Sequence, residues 1–454
     1  MQNWTKLHAI FLSDLISSLN NSGIRYFLLR NYEGLPEENI GKDVDIVIEP
    51  GSYRIVKNLL TQQMKTHQIH YYTTSRFDRM VCWYVVDLDK DFSIHIDIME
   101  NESYKGYTFF AFDELYDNTT IYKNMRVLKQ DYDIVLLLAQ NIVAYKNLKE
   151  KYRTKISQLY PKYKSQFIKL ANNLFGAKCG GRLINYLDIN NFDEIVEQSR
   201  DFERSFKKQQ MKKKPLKSFV NIVHFVADRF YRVIWCPYNY QRLIAIEAPD
   251  GTGKSTFVDN LTKRLAFFYN SDENRFAVHH FRPNILPNMG AAGEMMHVAK
   301  QDTDFTNPHR AKPSGFVMSM IRMTYYWLDY IIGVPILLRN EVHYEKYSFY
   351  DRYIYDFLVD PYRTRVKLPY WIRYSFTKIV KQPQIIFVLN AAPDIIYDRK
   401  QELTLEEIKR QLILFENIRK SFDTAVEIDA NKTPSEMVNN ALKIIFSRFF
   451  NYVE

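Results

Sequence analysis

The chain has 454 residues, of which 46% are apolar, 25% charged and 15% aromatic, proportions that exclude a disordered or collagen-like protein. That length exceeds what a single hydrophobic core usually serves, so two or three domains are expected. The formal net charge is +10, and the three cysteines (Cys82, Cys179 and Cys236) stand far apart in no metal-type spacing, which reads as reduced cytosolic thiols and not as a disulfide framework.

The first residues, Met-Gln-Asn-Trp-Thr-Lys-Leu-His, lack the charged-then-apolar pattern of a secretory signal. Residues 24–30 (Ile-Arg-Tyr-Phe-Leu-Leu-Arg) are strand-like, and a second strand is expected at Gly41-Lys-Asp-Val-Asp-Ile-Val-Ile48. Alternation places Asp43 and Asp45 on one face of it and Val44 and Ile46 on the other. Adjacent carboxylates repel, so a strand that keeps two of them usually has a cation between them. A later alternating run, Phe92-Ser-Ile-His-Ile-Asp97-Ile, offers a third acid. Three acids on neighbouring strands suit two Mg²⁺ ions in an in-line nucleotidyl transfer.

This pattern resembles the polymerase-β-like nucleotidyltransferase superfamily, in which an Asp-x-Asp strand follows a Gly-Ser turn and a third Asp comes later. The resemblance implies an N-terminal α+β domain over residues 1–125, with Asp43, Asp45 and Asp97 as metal ligands. The Gly-Ser element is missing. Its place holds Arg30-Asn31-Tyr32-Glu33-Gly34, and Arg30 is the electrostatic substitute.

From Asp131 to about Leu174, apolar residues such as Ile134, Leu137, Leu138 and Ile142 recur at helical spacing, so residues 126–204 are expected as a helical extension. Residues 205–217 (Ser-Phe-Lys-Lys-Gln-Gln-Met-Lys-Lys-Lys-Pro-Leu-Lys) read as a basic hinge, followed by an amphipathic segment with Phe219, Val223, Phe230 and Trp235. Residues 141–240 hold 20 Lys and Arg against 8 Asp and Glu, a net of +12 that accounts for the whole positive excess. The stretch 205–238 is expected to be a solvated linker packed on a domain by its apolar side, or to touch an anionic membrane surface through 205–235. No motif supports nucleic-acid binding.

Residues 243–256 read Leu-Ile-Ala-Ile-Glu-Ala-Pro-Asp-Gly-Thr-Gly-Lys-Ser-Thr. An apolar strand stops at a glycine turn, and an amphipathic helix with Phe257, Val258, Leu261 and Leu265 follows. This is the P-loop pattern, with Ala248 in place of the first glycine. Gly251 and Gly253 let successive N–H groups of Asp250–Thr256 turn toward phosphate oxygens, and the helix adds its positive end. Lys254 is expected to reach the β- and γ-phosphates of ATP, and the Ser255 hydroxyl to hold Mg²⁺. The longest apolar run, Met323 to Leu338, contains Asp329 and Pro335. It is short for a bilayer crossing and reads as a buried helix.

The loop Glu247-Ala-Pro-Asp250-Gly-Thr-Gly-Lys-Ser-Thr256 looks like that of the thymidylate kinase family, Glu-Gly-x-Asp-Gly-x-Gly-Lys-Ser/Thr. Residues 347–353 (Tyr-Ser-Phe-Tyr-Asp-Arg-Tyr), 383–399 and 427–439 resemble that family's later strands in order and spacing. The resemblance covers roughly residues 240–454 and implies a parallel-sheet α/β kinase domain over 239–454, with ATP and Mg²⁺ as cofactors. Carried over by position, Asp351 holds Mg²⁺, Arg352 grips the acceptor phosphate with Tyr353 beside it, and Asp250 faces the acceptor. Arg399, with Lys400, begins the lid. The family's transition-state arginine comes from the P-loop or the lid; the P-loop slot here is Gly251, which leaves Arg399.

The family's Arg-Glu-Pro-Gly-Gly-Thr segment corresponds to Ala277-Val-His-His-Phe-Arg-Pro-Asn284, where Arg282 and Pro283 survive. A long insertion runs from Asn284 to about Gly315, and the aspartate after the fourth strand is Asn390. The triphosphate end matches and the acceptor end is rebuilt, with His279, His280 and Arg282 expected to line it. Such fusions look like thymidylate-kinase-like proteins of bacterial surface-polysaccharide pathways. That implies a small-molecule or glycan acceptor, in the cytoplasm or at the inner face of its membrane. The alternatives are a thymidylate kinase with a fused domain, and an ATP-binding scaffold or sensor without turnover.

Overall fold

A computed structural model describes residues 4–77, 80–234, 242–270, 272–287, 314–343, 346–360 and 363–454. Contacts divide the chain into two units. One comprises Met1–Tyr231 with Phe268–Asn270 and Asn451–Glu454; the other comprises Arg232–Phe267 and Ser271–Phe450.

In the first unit the chain runs α1 (Lys6–Asn21), β1 (Tyr26–Leu28), β2 (Val44–Ile48), α2 (Tyr53–Thr66), β3 (Tyr71–Phe77), β4 (Met80–Asp87) and β5 (Phe92–Met99). A small hairpin, β6 (Ser103–Tyr104) and β7 (Tyr107–Thr108), leads to α3 (Phe112–Asp117), β8 (Thr119–Tyr122) and β9 (Met125–Leu128). Helices α4 (Gln130–Gln140), α5 (Glu150–Asp188), α6 (Phe192–Glu197), α7 (Ser199–Lys213) and α8 (Pro215–Ile234, of which residues 215–231 belong to this unit) follow.

The sheet has eight strands in the order β15-β3-β4-β5-β2-β1-β9-β8, its first edge supplied by β15 (Asn451–Tyr452) from the far end of the chain. The two-residue period of a strand gives it two apolar faces. Val44, Ile46, Ile94 and Ile96 turn to a core with Leu12, Leu15, Val56 and Leu60 of α1 and α2. Phe27, Val47, Met99 and Leu128 turn to a second core with Ile134, Leu138, Leu170 and Phe206.

Residues 126–204, expected as an extension, therefore share a core with the sheet. The expected boundary at 204/205 falls inside α7, where Phe202 and Phe206 are fully buried. Residues 205–213 are helix and not a hinge, because phenylalanines one turn apart anchor a segment whose Lys208, Lys212 and Lys213 are exposed.

In the second unit, β10 (Leu243–Glu247) leads to α9 (Lys254–Phe268), β11 (Phe276–His280), α10 (Phe316–His343), β12 (Tyr347–Asp351), α11 (Asp356–Val359) and α12 (Tyr370–Ile379). Then come β13 (Ile385–Asn390), α13 (Pro393–Arg399), α14 (Leu405–Ser421), β14 (Ala425–Asp429) and α15 (Pro434–Phe449). The five strands are all parallel in the order β11-β12-β10-β13-β14, with β10 central. Every residue of β10 and β12 is buried, as expected where helices cover both faces of a parallel sheet. The chain leaves β10 first toward one edge and later toward the other, which opens a crevice at the strands' carboxyl ends.

The apolar run Met323–Leu338 lies inside α10. Met323, Tyr330, Val334 and Leu338 face the core, whereas Ile332 and Ile336 are exposed, so one side of this helix is buried and not the whole. Among the described residues no helix is long and apolar enough to cross a membrane. Most of the insertion, 288–313, and the linker's end, including Trp235 and Cys236, lie outside the described residues.

Candidate functional site

The P-loop is built by local chain geometry. Strand β10 ends at Glu247, which is fully buried and accepts the Tyr353 N–H at 2.7 Å. Burial, reinforced by Asp356, pushes its carboxyl well above the usual range. Gly251 and Gly253 have φ of +88° and +91°, values an L side chain adopts only with strain. A Cβ on Gly251 would also stand 3.0 Å from the Ile396 carbonyl oxygen. Thr252 points inward, its hydroxyl donating to Pro249 O at 2.7 Å. Helix α9 begins at Lys254, so its free N–H groups face the turn.

Lys254 is buried. Its Nζ donates to Ala248 O (2.9 Å) and Pro249 O (3.1 Å) and stands 3.6 Å from Asp250 Oδ1. Burial lowers its pKa to about 8, with Arg352 acting the same way and Asp250, Asp351 and Asp356 opposing.

Pairing of Ile246 with Asp351 brings the end of β12 level with the loop, and the Arg352 N–H donates to Ile246 O at 3.0 Å. Arg352 has φ +75°, a left-handed conformation that costs a non-glycine residue about 1 kcal/mol. The turn sends its guanidinium back across the loop, where Nη1 donates to Asp356 Oδ1 at 2.7 Å and Nη2 to Asp250. Arg363 also donates to Asp250 and lies 3.5 Å from Asp360 Oδ2. Burial alone would raise Asp250, but Arg352, Lys254 and Arg363 hold it well below the usual carboxylate range. Asp351 Oδ2 stands 3.5 Å from His280 Nδ1, and its Oδ1 is buried without a hydrogen-bond partner.

These groups surround a cavity of about 490 Å³, the size of a small-molecule site. Asp250, Gly251, Gly253, Lys254, Ser255, Thr256, Asp351, Arg352 and Arg399 all line it, as do His280 and Lys400. Arg399 has one weak bond there, Nη1 to Ala430 O at 3.5 Å.

Three of the residues expected around the acceptor lie elsewhere. Tyr353 is fully buried, its ring against Tyr330 and Tyr350 and its hydroxyl on Lys381 O at 2.7 Å. Arg282 is buried on Asp329 (3.0 Å) and Leu286 O (3.2 Å). His279 meets Glu341 Oε1 at 2.6 Å. In each case a neighbour distant in sequence captures the side chain. Beside Phe281, a lining residue that the sequence reading missed is Arg363. Its available signal is the stretch Asp360-Pro-Tyr-Arg-Thr-Arg365, two arginines just after a proline.

The first unit gathers a second constellation on the sheet face opposite α1 and α2. Asp45 pairs with Asp97 across β2 and β5, and Cys82 with Asp97 across β4 and β5. Among the described residues, Asp43, Asp45 and Asp97 bring carboxylate oxygens within 4.8 Å of one another, and Cys82, His95 and Asp97 form a second such group. Arg30 Nε donates to Asp45 Oδ2 at 2.8 Å and its Nη1 to Gln140 Oε1 at 2.6 Å. Burial raises the Asp43 pKa, and Asp45 and Asp97 raise it further. Asp97 is also buried, yet His95, whose Nε2 is 2.8 Å from its Oδ1, and Cys82 hold it below the usual range.

No protein-family model matches the chain, and no curated protein matches it. Among solved structures, a thymidylate kinase from Ehrlichia chaffeensis aligns with 45% of this chain and 98% of its own, at 15% identity and a TM-score of 0.32. A likeness of that degree says nothing about the reaction. The second unit is, on its own geometry, an α/β domain with a parallel sheet and a P-loop-type turn at the carboxyl end of its central strand.

Proposed function

We propose that the second unit is a phosphotransferase of the thymidylate kinase-like class. It moves the γ-phosphate of ATP to a phosphorylated or hydroxyl acceptor, with a sugar, polyol or glycan intermediate of surface-polysaccharide synthesis as the acceptor class. One observation carries this reading: Lys254, Arg352, Arg363, Arg399 and Lys400 converge with Asp351 and the positive-φ loop on one cavity. Cations and main-chain N–H groups at a helix start are what a triphosphate needs.

The residues also fit a divalent cation, since the buried Asp351 Oδ1 has no hydrogen-bond partner. Ser255 and Asp351 are the residues that would hold Mg²⁺, which when bound neutralises phosphate charge. In the transfer, an acceptor oxygen forms a bond to the γ-phosphorus, the bond to the β–γ bridging oxygen breaks and ADP leaves, and a hydroxyl acceptor gives up its proton to water. Lys254 and Arg399 stabilise the charge that develops on the transferred group. Arg352, Arg363 and His280 orient the acceptor, in place of Arg282 and Tyr353.

Label transfer from γ-labelled ATP tests the reading, with thymidine monophosphate set against a panel of sugar and polyol phosphates. Transfer to the panel supports it, and transfer to thymidine monophosphate alone makes the protein a thymidylate kinase. Mg·ATP binding with no transfer to any acceptor or native extract leaves a scaffold.

A second activity, metal-dependent nucleotidyl transfer, is proposed for the first unit on Asp43, Asp45 and Asp97. Its support is the three-carboxylate group across neighbouring strands, with Arg30 as the local cation. Incorporation of label from α-labelled nucleotides, lost in Asp45→Asn, is the expected outcome.

A further inference from the structure

Helix α8 turns Ser218 and Asn221 inward, with Phe225 half-buried on the same side. Ser218 and Asn221 are only 6% and 7% exposed. The Asn221 backbone approaches the β6–β7 turn so closely that a Cβ on Gly106 would stand 2.8 Å from its carbonyl. The opposite side is apolar and in solvent. Leu216, Phe219, Val220, Val223, Val226 and Phe230 are between 50% and 81% exposed. At about 100° per residue these six fall within roughly 120° of arc, in a stripe about 20 Å long. An amphipathic helix on a globular body ordinarily turns such a stripe to the core, and an isolated apolar patch of this size marks a contact surface.

Cations frame the stripe. Lys212, Lys213, Lys214 and Lys217 are all exposed at its amino-terminal end, and no acid occurs between residues 205 and 217. Lys217 and Arg229 lie on opposite flanks, each roughly 120° from the stripe's centre, where long side chains reach back toward a polar surface.

We propose that α8 docks this protein on an anionic phospholipid surface, the apolar stripe sinking to the headgroup–acyl boundary and the lysines lying over the headgroups. The chemistry matches an interfacial helix, apolar on one side and basic around it. Pairing with a second copy fits less well. A two-fold contact sets a face against itself, so one net-positive rim would meet another. The inference is independent of the kinase reading, since it uses no residue of the nucleotide cavity.

The test is cosedimentation of the full-length protein with vesicles of phosphatidylcholine alone and of phosphatidylcholine mixed with phosphatidylglycerol. The protein is expected to pellet with the mixed vesicles only, and to be released by high salt. Val223→Asp and Phe230→Asp should each lower partitioning by about tenfold or more, with the circular dichroism spectrum unchanged because both side chains are in solvent. Replacing Lys212, Lys214 and Lys217 together with Gln should also weaken it, and should shrink the salt effect. Absence of pelleting overturns the proposal, as does pelleting that Val223→Asp leaves unchanged. A vesicle-independent dimer that Val223→Asp dissociates, without vesicle binding by the monomer, assigns the face to a second copy and overturns it too.

Discussion

The ammonium of Lys254 is wedged between two loop carbonyls, and its folded pKa of about 8 lies below the value it has in the unfolded chain. At pH 7 the folded state therefore holds this proton less tightly, and the charge opposes folding by at most ~3 kcal/mol. Lys254→Met removes that cost, although the neighbouring acids lose a counter-charge. Its melting temperature is expected to be no lower than wild type, while phosphoryl transfer falls by about 10²–10³-fold. Loss of both together would make Lys254 a structural residue. Arg363→Ala separates two roles in the same cavity: a rise in KM for the acceptor of about tenfold or more, with Mg·ATP affinity kept, is the outcome for a residue that orients the acceptor. Glu102, in the first unit, shows the opposite sign. It is buried, and Gln140 Nε2 donates to it. Burial pushes its pKa to about 7, Asp45 and Asp97 add to this, and Arg30 and Gln140 oppose. A carboxyl raised on folding stabilises most when protonated. Its contribution is therefore complete below about pH 4 and is lost as pH climbs to about 7. Glu102→Gln is expected to flatten this dependence and gain up to ~3 kcal/mol at alkaline pH, as read by urea unfolding on both sides of neutrality.

At the scale of elements, two-residue alternation and four-residue anchoring decided what each segment became. Strands β2 and β5 alternate, so their acids share one face by necessity and Val44 and Ile46 the other. Helix α7 looked like a hinge because six lysines dominate residues 205–217, yet Phe202 and Phe206 outweigh them, since burying each phenylalanine contributes about 2–3 kcal/mol. Strand β15 had no signal of its own. It adds to the edge of β3 through the pairs Asn451–Tyr72 and Tyr452–Tyr71, and the Val453 N–H donates to His70 O at 2.8 Å. Deleting residues 451–454 removes the buried Val453 from the core and bares that edge. About 2 kcal/mol of stability in the first unit should go with it, and thermal unfolding would also show a new tendency to aggregate.

For the whole molecule, binding at the nucleotide cavity should appear as stability. Mg·ATP at a hundred times its dissociation constant is expected to contribute about 2.7 kcal/mol, visible in calorimetry as a higher melting temperature. Lys254→Met should abolish the shift. Continuous sequence determined the features whose groups are neighbours along the chain. The strand, turn and helix of residues 243–256, the acids at Asp43 and Asp45, and the Asp351–Arg352 strand end are of this kind. Backbone periodicity and glycine's tolerance of positive φ act over a few residues, so these could be read without knowing what lies opposite. Only the tertiary structure decided which cations remain at the cavity. Arg282 faces Asp329 and Tyr353 packs on Tyr330, while Arg363 swings back to Asp250 across more than a hundred residues of chain. The same is true of the helix at 215–234, whose amphipathic pattern is plain in sequence but whose mounting is set by Asn221 against the β6–β7 hairpin and by the burial of Ser218. A side chain's type fixes what it can bond. Its partner is fixed by packing, which brings together residues that sequence order keeps apart.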